Sequence, residues 1–156
     1  MKNLITVLLI MCLVTLEVSG QTTKLDSLEK VLKVYTVEDT IQVNLFLQIA
    51  HSYAPYANQV LFNAEKALVL SNKLNFERGK VESFIRIGLY YFYVSDYRKS
   101  FQYYEKGLTI AEKLDDKDQI TICLNEIGMI YTEEGNYTQA LIFYQRGLKL
   151  NEEIGS

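Results

Sequence analysis

The sequence predicts an all-α fold in which antiparallel helical hairpins stack into an α-solenoid. Turn-forming residues are sparse, with eight glycines and one proline in 156 residues, and the long intervals between them contain helix-forming residues. Apolar residues recur at spacings of three and four, which is the period of a helix with one buried face. A segment of the chain also repeats forty residues later, which is typical of stacked structural units.

The first twenty residues have the composition of a secretory signal peptide. Lys2 precedes an apolar run from Leu4 to Leu16, and the small residue Gly20 precedes a cleavage point before Gln21. A membrane-spanning helix needs roughly 20 apolar residues, so this run is too short for a typical span. We expect cleavage and export to the periplasm or the extracellular space, with an uncleaved anchor as the alternative.

The remaining chain divides into a lead-in helix and three hairpins. We predict a signal peptide at 1–20, a lead-in helix within 21–37, and hairpins at 38–75, 76–115 and 116–156. Helices are expected at 25–35, 38–54, 57–74, 77–94, 97–114, 117–134 and 137–154. The first hairpin is degenerate: Ile49 and Ile87 lie 38 residues apart, but Leu68 and Leu108 lie 40 apart. Its internal turn, which contains Pro55, is therefore predicted to be two residues shorter.

Small residues and tyrosines occupy the repeated positions. A glycine inside a helix costs about 1 kcal/mol relative to alanine, so repeated helical glycines need a structural reason. Close approach of neighbouring helices is that reason, with tyrosine rings filling the space beside the small residues. The residues predicted to hold the hairpins together are Ala50, Tyr53, Ala67, Gly88, Tyr91, Ser100, Tyr104, Gly107, Gly128, Tyr131, Ala140, Tyr144 and Gly147.

The turns between helices carry the expected residues. Ser95 and Gly135 are predicted to end one helix, and Asp96 and Asn136 to cap the next. The aspartates in "LDDKD" at 114–118 lack the glycine and the spacing of a calcium-binding loop. We interpret that segment as a turn and a cap between hairpins.

This pattern resembles the tetratricopeptide repeat (TPR). The family's bulky, Leu-Gly, Tyr, Ala, aromatic and Ala positions are represented by Leu124, Ile127, Gly128, Tyr131, Ala140, Tyr144 and Gly147. The resemblance covers residues 38–154, although each unit is six residues longer than the common 34 and lacks the closing proline. It implies a right-handed solenoid that binds proteins or peptides and has no catalytic activity.

The lead-in segment has a narrower resemblance. The stretch from Lys24 to Tyr53 is similar to the opening of exported TPR proteins of the Bacteroidetes. In that group the repeats usually form the periplasmic sensor of a membrane histidine kinase or a transcription regulator. The resemblance implies a role in signal transduction if further domains accompany these repeats.

The chain offers little chemistry for catalysis or metal binding. His51 is the only histidine, and no cluster of ligands surrounds it. Cys123 lies among apolar residues and is expected to be buried and unreactive, with a reactive thiol as the alternative. We predict no enzyme activity, no metal and no cofactor. A formal net charge of −3 without a basic patch argues against nucleic acid as the partner.

The resemblance implies that the first helix of each hairpin lines a concave groove. The predicted groove residues are Gln48, His51, Ile85, Arg86, Leu89, Phe92, Tyr93, Asn125 and Met129. Their apolar and aromatic character, with Arg86 as a cation, suits a peptide with an apolar stretch rather than a bare terminal carboxylate. Packing of Phe92 and Tyr93 against a neighbouring repeat is the alternative.

The last predicted helix, 137–154, has more apolar residues than one buried face can accommodate. Solenoids usually end in a helix with a polar outer surface. We therefore expect this end to be covered, either by further chain or by self-association through the C-terminal hairpin. The leading functional hypothesis is an exported protein-binding scaffold, and the alternative is the sensor part of a signalling protein.

Overall fold

The computed structural model describes residues 24–154, so the predicted signal peptide lies outside the described residues. The described residues up to Thr36 and those from Val37 onward belong to two separate compact units. In the first unit, residues 24–34 form helix α1, as predicted for the lead-in segment. No helix in the described part of the chain is long and apolar enough to cross a membrane.

The second unit consists of six helices in three antiparallel hairpins. The helices are α2 (Thr40–Ser52), α3 (Asn58–Leu74), α4 (Glu77–Tyr93), α5 (Tyr97–Leu114), α6 (Lys117–Glu133) and α7 (Tyr137–Ile154). Each begins and ends within two residues of its predicted position. The all-α prediction of stacked helical hairpins is confirmed.

Turn chemistry sets the ends of most helices. Asn75, Ser95, Asp115 and Gly135 adopt left-handed backbone angles, with φ of 53°, 61°, 54° and 74°. This conformation stops a helix and directs the chain back toward the next one. The side chains of Asp96 and Asn136 accept hydrogen bonds from the amides of Lys99 and Gln139 at 3.1 and 3.3 Å.

The segment 114–118 has the same construction. Asp116 Oδ1 accepts a hydrogen bond from the amide of Gln119 at 3.2 Å, and Oδ2 of the same carboxylate lies 3.7 Å from Nε of Arg78 in the preceding hairpin. The predicted turn and cap at this segment are therefore present in the structure.

The turn of the first hairpin differs from the prediction. It spans residues 53–57 and is longer than the three-residue turn between α4 and α5, whereas α2 is shorter than α4. Pro55 lacks an amide donor, and a proline disfavours helical geometry in the residue before it. Helix α2 therefore ends at Ser52, and the two missing residues come from the helix rather than from the turn.

Gly88 and Gly128 lie where a tyrosine ring from the neighbouring helix approaches the backbone. A Cβ placed on Gly88 would lie 2.9 Å from Cε1 of Tyr104, and one on Gly128 would lie 2.6 Å from Cε1 of Tyr144. Ser100, from the same helix as Tyr104, donates a hydrogen bond from its hydroxyl to the carbonyl of Gly88 at 2.9 Å. In the second and third hairpins, a tyrosine ring of the second helix thus packs directly against a glycine backbone of the first helix.

The other repeated tyrosines pack on aromatic rings rather than on glycine. Tyr91 stacks on Tyr103 with ring centroids 5.6 Å apart, and Tyr131 stacks on Phe143 at 5.4 Å. Tyr131 also meets Phe101 of the preceding hairpin edge-on at 6.1 Å. These contacts extend the aromatic packing from one hairpin to the next.

The hairpins stack so that their first helices form a continuous wall. Helix α4 contacts both α2 and α6, whereas α3 and α5 do not contact each other within the described residues. The first helices are therefore closer together than the second helices, and the stack curves with α2, α4 and α6 on its inner side. The main core lies between the second and third hairpins and includes Tyr104, Leu124 and Ile127.

Candidate functional site

The solvent-facing residues of α2, α4 and α6 form a surface that we call the inner wall. On α4 it follows a spacing of four, three and four residues, which keeps side chains on one helical face. The inner wall consists of Asn44, Gln48 and His51 on α2, Glu82, Arg86, Leu89 and Tyr93 on α4, and Ile122, Glu126, Met129 and Glu133 on α6. Each of these side chains is exposed or half-buried.

Three of the predicted groove residues meet in one cavity. His51, Arg86 and Leu89 line a cavity of about 210 Å³ between the first and second hairpins. Its remaining lining comes from Ala50, Tyr53, Pro55 and Val60. The early end of α2 at Ser52 brings Tyr53 and Pro55 to this place. The cavity therefore combines an apolar floor with one guanidinium group at its side.

Arg86 is half-buried beside acidic groups. Burial lowers the pKa of its guanidinium, and the nearby carboxylates of Glu82 and Glu126 oppose that change. Among the described residues, Arg86 has no hydrogen bond and no ion pair within 4.0 Å. A guanidinium has five N–H donors, so Arg86 can donate hydrogen bonds to a ligand that enters the cavity.

Glu126 connects the inner wall to the core. Its Oε2 accepts a hydrogen bond from the hydroxyl of the fully buried Tyr104 at 3.0 Å. Burial raises the pKa of Glu126, while the Tyr104 hydroxyl and the charge of Arg86 act to lower it. The tyrosine of the second hairpin thus obtains its polar partner from the third hairpin, which ties the two together.

Cys123 has the buried position that the sequence predicts. It is fully buried, and its sulfur would lie 3.4 Å from a Cβ placed on Gly107. Burial and the neighbouring Glu126 raise the pKa of the thiol to about 12. A protonated, enclosed thiol is a poor nucleophile, so Cys123 acts as a small core residue.

Three predicted groove residues lie elsewhere. Ile85 is only 8% exposed and belongs to the core, and Phe92 packs against that core and the ring of Tyr97. The Oδ1 of Asn125 would lie 2.9 Å from a Cβ placed on Gly147, so this side chain lies over α7. The prediction that these three residues line the groove is therefore corrected. Adjacent residues of a helix point about 100° apart, so a neighbour of a groove residue can face the core or another helix.

The other predicted residues remain on the inner wall. Gln48 is exposed on α2, Met129 is half-buried on α6, and Tyr93 is half-exposed near the end of α4. Tyr93 contacts the ring of Phe92 edge-on, with centroids 5.7 Å apart. The packing alternative therefore applies to Phe92, while Tyr93 presents its ring to solvent.

A larger cavity lies outside the inner wall. It has a volume of about 410 Å³, and its lining comes from the first half of α5 and the last turns of α6. Phe101, Ile130 and Tyr131 form its apolar part, with Arg98 and Glu134 among the polar residues. This cavity is not predictable from the sequence, because its lining residues do not form a motif along the chain.

Metal-binding chemistry is not represented in the described residues. No group of three or more His, Cys, Asp or Glu side chains in residues 24–154 is arranged to hold a metal ion. The inner wall instead offers apolar contacts, hydrogen-bond donors and carboxylates, which are the groups that bind a peptide.

Comparison with known proteins supports the same fold. Residues 81–153 match the model of the tetratricopeptide repeat. The apo form of RapI superposes with a TM-score of 0.79 at 21% identity, covering 89% of this chain and 52% of the RapI chain. The TPR domain of Arabidopsis FLU superposes with a TM-score of 0.58 at 22% identity, covering 85% of this chain and 98% of that domain.

The chain spans about half the length of RapI, and at these identities the likeness concerns the fold alone. Among curated proteins, no sequence matched the chain. The second and third hairpins are therefore similar to the tetratricopeptide repeat, and the superpositions show an all-α solenoid fold.

Proposed function

We propose that the chain is a non-enzymatic, exported scaffold that binds a segment of a protein partner along its inner wall. Tetratricopeptide repeats are typically scaffolds for protein–protein interaction, which supports the general role. The observation that carries the proposal is the cavity shared by His51, Arg86 and Leu89. This cavity lies on the inner, concave side of the stack, where a bound segment can contact two hairpins at once.

The cavity indicates the chemistry of the segment. An aliphatic side chain of the partner would occupy the apolar floor formed by Ala50, Val60 and Leu89. A backbone carbonyl or a side-chain carboxylate next to it would accept hydrogen bonds from Arg86. Partner recognition would thus combine one buried anchor with one oriented polar contact.

Peptide selection with inner-wall variants tests this role. Peptides selected from a random 12-residue phage library would be titrated against wild type, Arg86→Gln and Leu89→Ala by fluorescence anisotropy. We expect both substitutions to weaken binding at least about tenfold, the effect of losing an anchor of roughly 1.4 kcal/mol. Arg98→Gln, which removes the same charge from α5, is the control and should bind like wild type. Unchanged affinity in Arg86→Gln and Leu89→Ala would refute the proposal.

The second proposed function is the sensor part of a membrane histidine kinase or a transcription regulator. The similarity of the stretch from Lys24 to Tyr53 to exported Bacteroidetes proteins supports it. Sequencing the gene beyond the Ser156 codon tests it. An open frame that continues into a transmembrane segment and a kinase or DNA-binding domain is expected, and a stop codon would contradict it.

Export can be tested separately. The order of Lys2, an apolar run and Gly20 supports removal of the first twenty residues. The full-length gene would be expressed in a bacterial host with two membranes, and the protein in each fraction analysed by intact mass. A periplasmic protein that begins at Gln21 is expected, whereas an unprocessed cytoplasmic protein would contradict export.

A further inference from the structure

The cavity between α5 and the end of α6 has the size and lining of a small-molecule site. Its volume of about 410 Å³ lies within the usual range of ligand pockets, about 300–1,000 Å³. The buried Ile130 and the half-buried rings of Phe101 and Tyr131 form its apolar part. We call it the α5–α6 cavity. None of its lining residues belongs to the inner wall, so a ligand bound there would leave the inner wall free.

The α5–α6 cavity occupies a junction whose counterpart is bridged. Between the first and second hairpins, the hydroxyl of Tyr90 donates a hydrogen bond to Oδ1 of Asn58 at 2.9 Å, which links α4 to α3. Forty residues later, the corresponding positions are Ile130 and Arg98. An isoleucine side chain cannot donate a hydrogen bond, so this bridge is absent between the second and third hairpins. The cavity lies in its place.

Two groups of opposite charge lie at one end of the cavity. Arg98 is the second residue of α5, and Glu134 follows the last residue of α6. Helices joined by a short turn are antiparallel neighbours, so the start of α5 lies beside the end of α6. Within residues 24–154, neither side chain forms an ion pair or a hydrogen bond. Arg98 can therefore donate paired hydrogen bonds to a carboxylate, and Glu134 can accept them from an ammonium group.

The cavity thus favours a ligand that carries both charges beside an apolar group. We propose that the α5–α6 cavity binds a free amino acid with a large apolar side chain, such as phenylalanine or leucine. Its carboxylate would accept hydrogen bonds from Arg98, and its ammonium group would donate to Glu134. Its side chain would pack against Phe101, Ile130 and Tyr131. An internal residue of a polypeptide carries neither charge, so the charge pair favours the free amino acid over a protein partner.

The remaining polar residues predict selectivity among amino acids. Arg98, Gln102 and Glu105 follow a spacing of four and three, which places them on one face of α5. Glu105 lies about 10 Å along the helix from Arg98, toward the end of the cavity that the ligand's side chain would face. A carboxylate at this position repels an acidic side chain. We therefore expect L-glutamate to bind at least tenfold more weakly than L-methionine, whose side chain has a similar length.

NMR titration of the full chain, labelled with nitrogen-15, tests the proposal. The protein, purified as the host cell yields it, would be titrated with L-phenylalanine and L-leucine up to about 10 mM, which covers dissociation constants from micromolar to millimolar. We expect saturable amide shifts at the start of α5 and the end of α6, with α2 unaffected. Arg98→Gln and Glu134→Gln should each weaken binding at least tenfold, because each leaves one charge of the ligand without a partner.

Analogues that lack one charge identify the contact of each residue. Phenethylamine lacks the carboxylate, so Glu134→Gln should weaken its binding and Arg98→Gln should not. Phenylpropionate lacks the ammonium group and should show the reverse pattern. Lys113→Gln and Glu152→Gln remove the same charges at exposed positions outside the cavity and should bind L-phenylalanine like wild type.

Three results would overturn the proposal. They are an absence of saturable binding for both amino acids, affinities that Arg98→Gln and Glu134→Gln leave unchanged, and binding of N-acetyl-L-phenylalaninamide as tight as that of L-phenylalanine. The last result would assign the cavity to a side chain of a protein partner, since this probe has neither charge. Arg86→Gln and Leu89→Ala, which test peptide binding on the inner wall, should bind L-phenylalanine like wild type, so the two proposals can fail separately.

Discussion

Gly88 and Gly107 show that two helical glycines in one hairpin have different packing requirements. A Cβ on Gly88 would lie 2.9 Å from the ring of Tyr104, which is fully buried and hydrogen-bonded to Glu126. A Cβ on Gly107 would have its nearest neighbour at 3.4 Å, the sulfur of Cys123. The first position excludes a methyl group, whereas the second leaves nearly enough room for one.

This difference predicts the stability of two alanine variants. Both gain about 1 kcal/mol of helix propensity, so that contribution cancels in the comparison. Overpacking against the Tyr104 ring costs about 1–3 kcal/mol in Gly88→Ala. We expect the free energy of unfolding of Gly88→Ala to be lower than that of Gly107→Ala by about this amount. Urea unfolding measures it, and equal stabilities would contradict the packing argument.

Glu126 predicts a pH dependence with a definite sign. Burial raises its pKa in the folded protein above the ordinary value of 4.5, so the unfolded chain loses this proton at a lower pH. The stabilising contribution of the protonated group is complete below about pH 4.5 and is lost as the pH rises through the raised pKa. Ionisation of Glu126 therefore favours unfolding.

Urea unfolding at several pH values between about 4 and 7 would test this dependence. Wild type should lose stability relative to Glu126→Gln as the pH rises, because the variant cannot ionise at this position. Glu105→Gln, which removes an exposed carboxylate from α5, controls for the change in net charge. Parallel stability curves for wild type and Glu126→Gln would show that the carboxylate is not destabilised by burial.

Residue patterns predicted local structure better than they predicted side-chain direction. Glycine and aspartate placement identified the turns, because left-handed backbone angles and caps depend on a few adjacent residues. Ile85 and Asn125 were assigned to the groove but face the core and α7, since one residue separates two different helical faces. The contact of Tyr104 with Glu126 joins two hairpins and leaves no signal in the local sequence.

At the scale of the helix, a single capping side chain stabilises the first turn. Asp96 begins α5 by accepting a hydrogen bond from the Lys99 amide at 3.1 Å, and it also lies 3.0 Å from the Lys99 ammonium group. The ion pair is exposed and contributes little, so the cap is the larger stabilising contact. Helices α6 and α7 begin in the same way, at Asp116 and Asn136.

Substitutions at Asp96 separate these two contacts. Asp96→Ala removes the acceptor and should lower the free energy of unfolding by about 1 kcal/mol. Asp96→Asn keeps an oxygen acceptor but removes the charge, so it should stay close to wild type. Thermal or urea unfolding of the three proteins measures the order. If Asp96→Asn is destabilised as much as Asp96→Ala, the ion pair and not the cap stabilises this helix end.

At the scale of the whole stack, each hairpin is supported only by its neighbours. Helix α3 contacts α4, and α5 contacts α6, while no contact links the first hairpin to α7 within the described residues. The overall stacking was predictable because similar residues recur at matching positions of the three hairpins, most closely in the second and third. The inner-wall cavity was less predictable, because it depends on the early end of α2 before Pro55.

The unequal packing of α2 and α6 predicts unequal stability along the stack. Among helices α2–α7, α2 contacts only α3 and α4, whereas α6 contacts α4, α5 and α7 and contributes to the core that includes the fully buried Tyr104. In a stack with neighbour contacts alone, a helix with fewer packing partners opens first. Hydrogen exchange followed by mass spectrometry should therefore show faster exchange in α2 than in α6.

A peptide bound beside Arg86 contacts both of the first two hairpins and should slow exchange in α2, with α7 as the internal control. Equal protection of α2 and α6 in the free protein would mean that the stack opens as one unit.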